Sequence, residues 1–257
     1  MKSTIFYTSL SFLLLLGCTS KIEFEPIPPV VVVPGSDLII SEVSTAINTD
    51  PKASGTRSHY IEVYNGTNVS VDLSNYAIGY FAVQDTFSLN DFSFSTANSF
   101  ITFNKFLDTG KCYVIASPQC DISKIKSDTT WGTNSTTAAN SSLPLQLSGN
   151  SAIALLKKDN AGTFNLAGAT YKIIDVFGSP LIARNNSQGA TSSRNNIMWA
   201  VAGETKDTRN RTFFRKSTVK NPTTDWDKSR GTDAINSQWI LSGDRLWDYS
   251  NVGLPTP

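Results

Sequence analysis

The sequence predicts an all-β domain, an antiparallel sandwich or barrel. From Leu38 onward the chain is a series of short runs rich in β-branched and aromatic residues, separated by clusters of Asn, Gly, Ser, Thr and Asp. No stretch of ten or more residues holds a 3.6-residue apolar period, so any helix is expected to be a short turn. The runs, in order, are LIISEVS (38–44), HYIEVYN (59–65), NYAIGYFAV (75–83), FITF (100–103), KCYVIAS (111–117), LPLQL (143–147), SAIALLKK (151–158) and YKIIDVFG (171–178).

In HYIEVYN the alternation is sharp, with Tyr60, Glu62 and Tyr64 on one side and Ile61 and Val63 on the other, which predicts a half-buried strand. Asn65-Gly66 then supplies turn chemistry, and Asp72-Leu73-Ser74-Asn75 reads as an Asx-type turn leading into NYAIGYFAV. LQLSGNSAIAL carries the clearest hairpin signal, because Gly149-Asn150 tolerates the positive φ of a tight turn. Residues 84–110 and 118–142 read as long Ser/Thr/Asn-rich connections and 184–211 as an insertion or decorated loop, where a binding protein would place its specificity.

Residues 1–17 carry Lys2 and an apolar core, Ile5 to Leu16, too short to span about 30 Å of hydrocarbon, which is the shape of a signal peptide. Its end, Leu15-Leu16-Gly17-Cys18, resembles the lipobox of bacterial lipoproteins. That resemblance implies that Cys18 is diacylated and becomes the new N-terminus, each buried CH₂ contributing about 0.8 kcal/mol in place of a spanning helix. Thr19, rather than the Asp that retains enteric lipoproteins at the inner membrane, points to the outer membrane of a Gram-negative-type bacterium. The Lys21, Glu23 and Glu25 stretch loosely resembles export signals of surface lipoproteins, which favours the cell surface over the periplasmic face. PIPPVVVVPG, with four prolines, makes residues 18–36 a semi-extended tether. Residues 37–257 are then expected to form one domain with loop insertions and a C-terminal extension.

Without residues 1–17 the chain carries 21 basic side chains against 21 acidic. Such a balance argues against a surface built throughout for nucleic acid. Cys112 and Cys120 remain, and in an oxidising compartment a disulfide and two free thiols are both open. With one histidine and no repeated C-x-x-C pair, no Cys/His zinc site is expected, and no cofactor.

LIISEVS, then YIEVYNGTNVSVDLSNYAIGYF, GKCYVIAS, LSGNSAIALLKKD and IIDVFG stand in the order of the lamin tail domain family, which the chain resembles. The resemblance continues into a tail common in bacterial members, through Met198-Trp199-Ala200-Val201-Ala202-Gly203, Thr212-Phe213-Phe214-Arg215-Lys216 and Ser237-Gln238-Trp239. It implies an immunoglobulin-like antiparallel β-sandwich over about Leu38 to Gly253. Since such domains often accompany secreted nucleases or phosphatases, it also implies a recruiting or adhesive role. Glu42 and Glu62 of the first motif are read as architecture, either exposed, cross-strand or partnered by Arg57.

Little catalytic chemistry is legible. His59 has no G-x-S-x-G elbow beside it, and phosphate loops, the dinucleotide fingerprint and H-E-x-x-H are missing. Two carboxylates would suffice for a glycosidase, so a hydrolase stays open as an alternative without support from spacing. Asp225, Asp227, Ser229, Gly231 and Asp233 alternate as in a calcium loop, but glycine is seventh and Asn236 twelfth, so a solvated turn is expected.

Between Arg184 and Lys220 the local charge is +6, from Arg184, Arg194, Lys206, Arg209, Arg211, Arg215, Lys216 and Lys220 against Glu204 and Asp207. One reading is a patch for an acidic glycan, phosphate or nucleic acid, with Trp199 and Phe213 available for stacking. The plainer reading is that strand alternation scatters hydrated charges around a loop. Trp226, Trp239, Trp247 and Tyr249 are read as covering an edge of the sandwich and pinning the C-terminal segment, with a carbohydrate platform as the alternative. Together these features predict a non-catalytic, lipid-anchored outer-membrane module for binding, adhesion or scaffolding, its partner a separate protein or glycan.

Overall fold

Antiparallel pairing turns the predicted runs into two stacked sheets, and two bulges decide which face several of their acids occupy. The structure, a computed structural model, describes residues 33–46, 57–81, 100–121, 123–132, 147, 152–166, 168–178, 200–204, 210–244 and 246–254. The strands are β1 (Ile39–Ser44), β2 (Tyr60–Tyr64), β3 (Val71–Asp72), β4 (Tyr76–Phe81), β5 (Phe100–Thr102), β6 (Phe106–Leu107), β7 (Cys112–Ala116), β8 (Thr129–Thr130), β9 (Ala152–Lys158), β10 (Phe164–Leu166), β11 (Ala169–Phe177), β12 (Thr212–Arg215) and β13 (Trp239–Leu241). Helix is confined to one 3-10 turn, Leu73–Asn75, and one short α-helix, α1 (Trp226–Arg230), among the described residues. The 3-10 turn begins where Asp72 Oδ1 accepts the Ser74 amide at 2.9 Å, the turn that the Asp-Leu-Ser-Asn sequence predicts.

One sheet has six strands in the order β13-β12-β1-β2-β7-β8, and the other has five, β10-β11-β9-β4-β5. Short β3 and β6 form a separate ribbon. All pairings are antiparallel except β7 with β8. The result is the expected immunoglobulin-like sandwich. The tail adds to it as strand, since β12 pairs with β1 and β13 with β12.

Between the sheets lies one core of side chains that includes Leu38, Ile40, Val43, Ile61, Val63, Ile78, Ile153, Leu155, Phe177, Phe213, Trp226 and Trp239. Each fully buried aliphatic or aromatic side chain contributes about 1.5–3 kcal/mol relative to exposure. Phe177 sits at the centre of an aromatic cluster, 5.0 Å from Phe213 and 5.2 Å from both Trp226 and Trp239, at steep interplanar angles.

Strict alternation fails at two places, and each failure positions an acid. In β1 the register slips between Ile40 and Glu42, so Ile40 and Val43 both enter the core while Glu42 turns to the outer face. In β11 it slips between Ile173 and Asp175, which brings Asp175 inward beside Phe177.

The outer face of the six-stranded sheet is not half-buried, as the alternation in HYIEVYN suggests. Tyr60, Val114, Ala116, Cys120 and Ile125 form a second buried layer there, with Trp247 and Val252 packed against it. The expected hairpin at Gly149-Asn150, most of LPLQL and the tether through Val32 lie outside the described residues.

Candidate functional site

Beneath the C-terminal residues lies a pair of carboxylates. Glu42 and Glu62 stand directly opposite each other on β1 and β2, which brings their Cβ atoms to about 5 Å. Neither residue is accessible to solvent. The Tyr60 hydroxyl donates to Glu42 Oε1. Ser41 Oγ donates to Glu62 Oε1 at 2.7 Å, and the Gly253 amide donates to Glu62 Oε2 at 2.6 Å. Burial, and then the charge of Glu62, pushes the Glu42 carboxyl up to about 8. Burial also raises the Glu62 carboxyl and the Tyr60 phenol.

The C-terminal segment closes over this pair. Tyr60 Oη also reaches the Asp248 carbonyl at 3.3 Å, the Asp248 amide donates to Thr212 Oγ1 at 3.1 Å, and Cys112 Sγ donates to the Leu254 carbonyl at 3.1 Å. Trp247 and Tyr249 stack at 4.6 Å, with the Lys124 ammonium 5.4 Å from the first ring and 5.8 Å from the second. This bears out the pinning role for Trp247. Trp226 and Trp239 instead belong to the central core, 2% and 1% exposed, which removes them from any carbohydrate platform.

A disulfide between Cys112 and Cys120 is corrected: both thiols are free. Cys112 opens β7 opposite Tyr64, whereas Cys120 follows a turn beyond the far end of the strand and packs beside Tyr60 and Ala116. Five extended residues, at about 3.3 Å each, keep the two too far apart to bridge.

The proposed anionic-ligand patch is corrected at its centre. Arg215 is fully buried, with Nη2 3.2 Å from Asp175 Oδ1 and the guanidinium 4.7 Å from the Trp239 ring centroid. Asp175 Oδ1 also accepts the Thr223 amide at 2.9 Å, and Oδ2 the Ile40 amide at 2.8 Å, so this carboxylate ties the two sheets together. Arg211 is 6% exposed and lies 3.4 Å from both Glu204 and Asp244, on the rim of a pocket of about 270 Å³ along β13. Phe213, read as free for stacking, is core. Lys216 is half-buried and donates to the carbonyls of Ala234 and Ile235 at 2.7 and 3.0 Å. Lys220 is exposed. Arg184, Arg194, Lys206 and Arg209 lie outside the described residues, as does Cys18.

His59 is buried, and its Nδ1 accepts the Leu147 amide at 2.9 Å, a structural duty. The residues weighed as a calcium loop are engaged in capping. Asp225 Oδ1 accepts the Lys228 amide at 2.9 Å, Asp227 pairs with Arg230, and Asp233 Oδ1 accepts the amides of Ile235 and Asn236. Among the described residues no group of three or more His, Cys, Asp or Glu is placed to hold a metal ion.

The Lamin Tail Domain family model matches residues 33–175, which covers β1 through most of β11. Among solved structures, the crystal structure of a DUF4876 family protein from Bacteroides thetaiotaomicron is similar, with a TM-score of 0.44 at 15% identity over 83% of this chain and 69% of that one. No curated protein matches the chain.

Proposed function

Because the chain belongs to the lamin tail domain family, we propose that it is a non-catalytic module, held at the outer membrane through lipid on Cys18, that binds or scaffolds a separate protein or glycan. One observation carries the non-catalytic part: the acids with raised carboxyl groups at Glu42 and Glu62 are sealed under residues 246–254 instead of lining a cleft. A general acid must reach the bond it protonates, and these two meet the Tyr60 phenol, the Ser41 hydroxyl and the Gly253 amide. The membrane part rests on the lipobox-like Leu15-Leu16-Gly17-Cys18 and the proline-rich tether.

A purified chain and its Glu62→Gln variant, incubated with peptidoglycan and with extracellular polysaccharide, test the non-catalytic reading. The expected result is no turnover above background from either protein. Turnover by the parent chain that Glu62→Gln abolishes would identify a hydrolase instead.

A further inference from the structure

The charged groups acting on Glu42 and Glu62 are acidic. On β1 and β2 the two carboxylates face each other beside the Tyr60 phenol. β7 contributes the Cys112 thiol, itself pushed up by burial and by Glu62. The C-terminal segment adds the charge of Asp248 to Glu42, and the β7–β8 turn adds that of Asp128 to Glu62. β12 faces them with neutral Thr212 and Phe214. The nearby cations are engaged elsewhere. Lys124 sits over the Trp247 and Tyr249 rings, Lys105 pairs with Asp128 at 2.6 Å, Arg211 meets Glu204 and Asp244, and Arg215 points to Asp175.

Two carboxylates this close, dry and without a cation, do not both ionise at modest cost, so the closed site retains a proton between them. If that proton is lost, the cheapest relief is to admit water. β1 and β2 resist this, because β2 is paired along its length with β1 and β7, and β1 is held by β2 and, from Glu42 to Ser44, by β12. Residues 246–254 contain no strand. The polar bonds tying them to the sheet run from Tyr60, Thr212, Glu62 and Cys112, and Ser242 Oγ adds one to the Leu246 carbonyl at 2.7 Å.

We propose that residues 246–254 form a proton-gated cover, kept down while Glu42 and Glu62 share a proton and lifted as pH rises and that proton passes to solvent, which bares the outer face of the six-stranded sheet. Lifting uncovers Tyr60, Val114, Ala116, Cys120 and Ile125, a continuous apolar surface. Neither lipidation nor the absence of catalysis is required for this gate.

The test is amide protection of Gly253, corrected for the intrinsic pH dependence of exchange and read by NMR on the isotopically labelled full chain. One proton released per opening predicts a fall of about tenfold for each pH unit between the ordinary carboxyl value of 4.5 and about 8, with a level plateau above it. Glu42→Gln carries no charge at any pH and is expected to hold Gly253 protection flat through that range. Glu62→Gln, which also leaves only one carboxyl, serves as the second variant should the first not fold. Protection that stays level across that range in the parent chain overturns the gate, as does equal loss in the glutamine variant. A loss triggered by calcium chelation at constant pH overturns it too, because a cation rather than a proton would then bridge the acids.

Discussion

Asp175 and Arg215 meet at 3.2 Å across the interior of the sandwich, and neither side chain reaches solvent. They join β11 of the five-stranded sheet to β12 of the six-stranded one, and Asp175 also holds the amides of Ile40 and Thr223. Removing one partner strands a buried charge. Arg215→Met is therefore expected to cost about 3–5 kcal/mol in urea unfolding. The pairing of Asp175→Asn with Arg215→Met should recover part of that loss, and a single variant as stable as the parent would contradict the tie.

Gly231 ends α1 at φ +62°, and a Cβ there would stand 2.5 Å from the Ser237 backbone nitrogen. Both the conformation and the contact oppose a side chain. Gly231→Ala should lower Tm by about 4–8 °C, the equivalent of roughly 2 kcal/mol for a domain of this size. An unchanged Tm would mean that the Asp233–Ser237 turn moves freely.

The two thiols give a chemical readout. Burial pushes Cys120 up to about 12 and raises Cys112 as well, so neither is appreciably ionised at mildly alkaline pH. Iodoacetamide should leave the native protein unmodified and should alkylate both residues in urea without prior reduction. Alkylation that requires a reductant would reveal a disulfide.

Global stability should also depend on pH. The Glu42 carboxyl titrates at about 8 in the folded chain against an ordinary 4.5, so the folded state holds a proton that the unfolded state has released. Its contribution is fully present below 4.5 and is lost as pH rises through 8. The loss is on the order of 3–5 kcal/mol, shared with Glu62. Urea midpoints measured across this window should fall in the parent chain and stay nearly level in Glu42→Gln.

Much of the sandwich is legible in the sequence because its strands are short and alternate. Ile61 and Val63 point inward and Tyr60 and Glu62 outward, as HYIEVYN implies. The site is less legible. The bulge at Ser41 sends Glu42 to the face that strict alternation denies it, and no local residue type marks such a slip. Arg215 reads as a free cation because its partner lies 40 residues away. Residues 246–254 cover the carboxylates without forming strand or helix, so no periodicity announces them.

Protease shaving of intact cells, with a periplasmic protein as control, tests most directly whether this lamin tail domain is presented outward on a lipid anchor. Loss of the domain while the control survives is the predicted result. Protection until the outer membrane is opened would contradict surface presentation and place the module's partner inside the envelope.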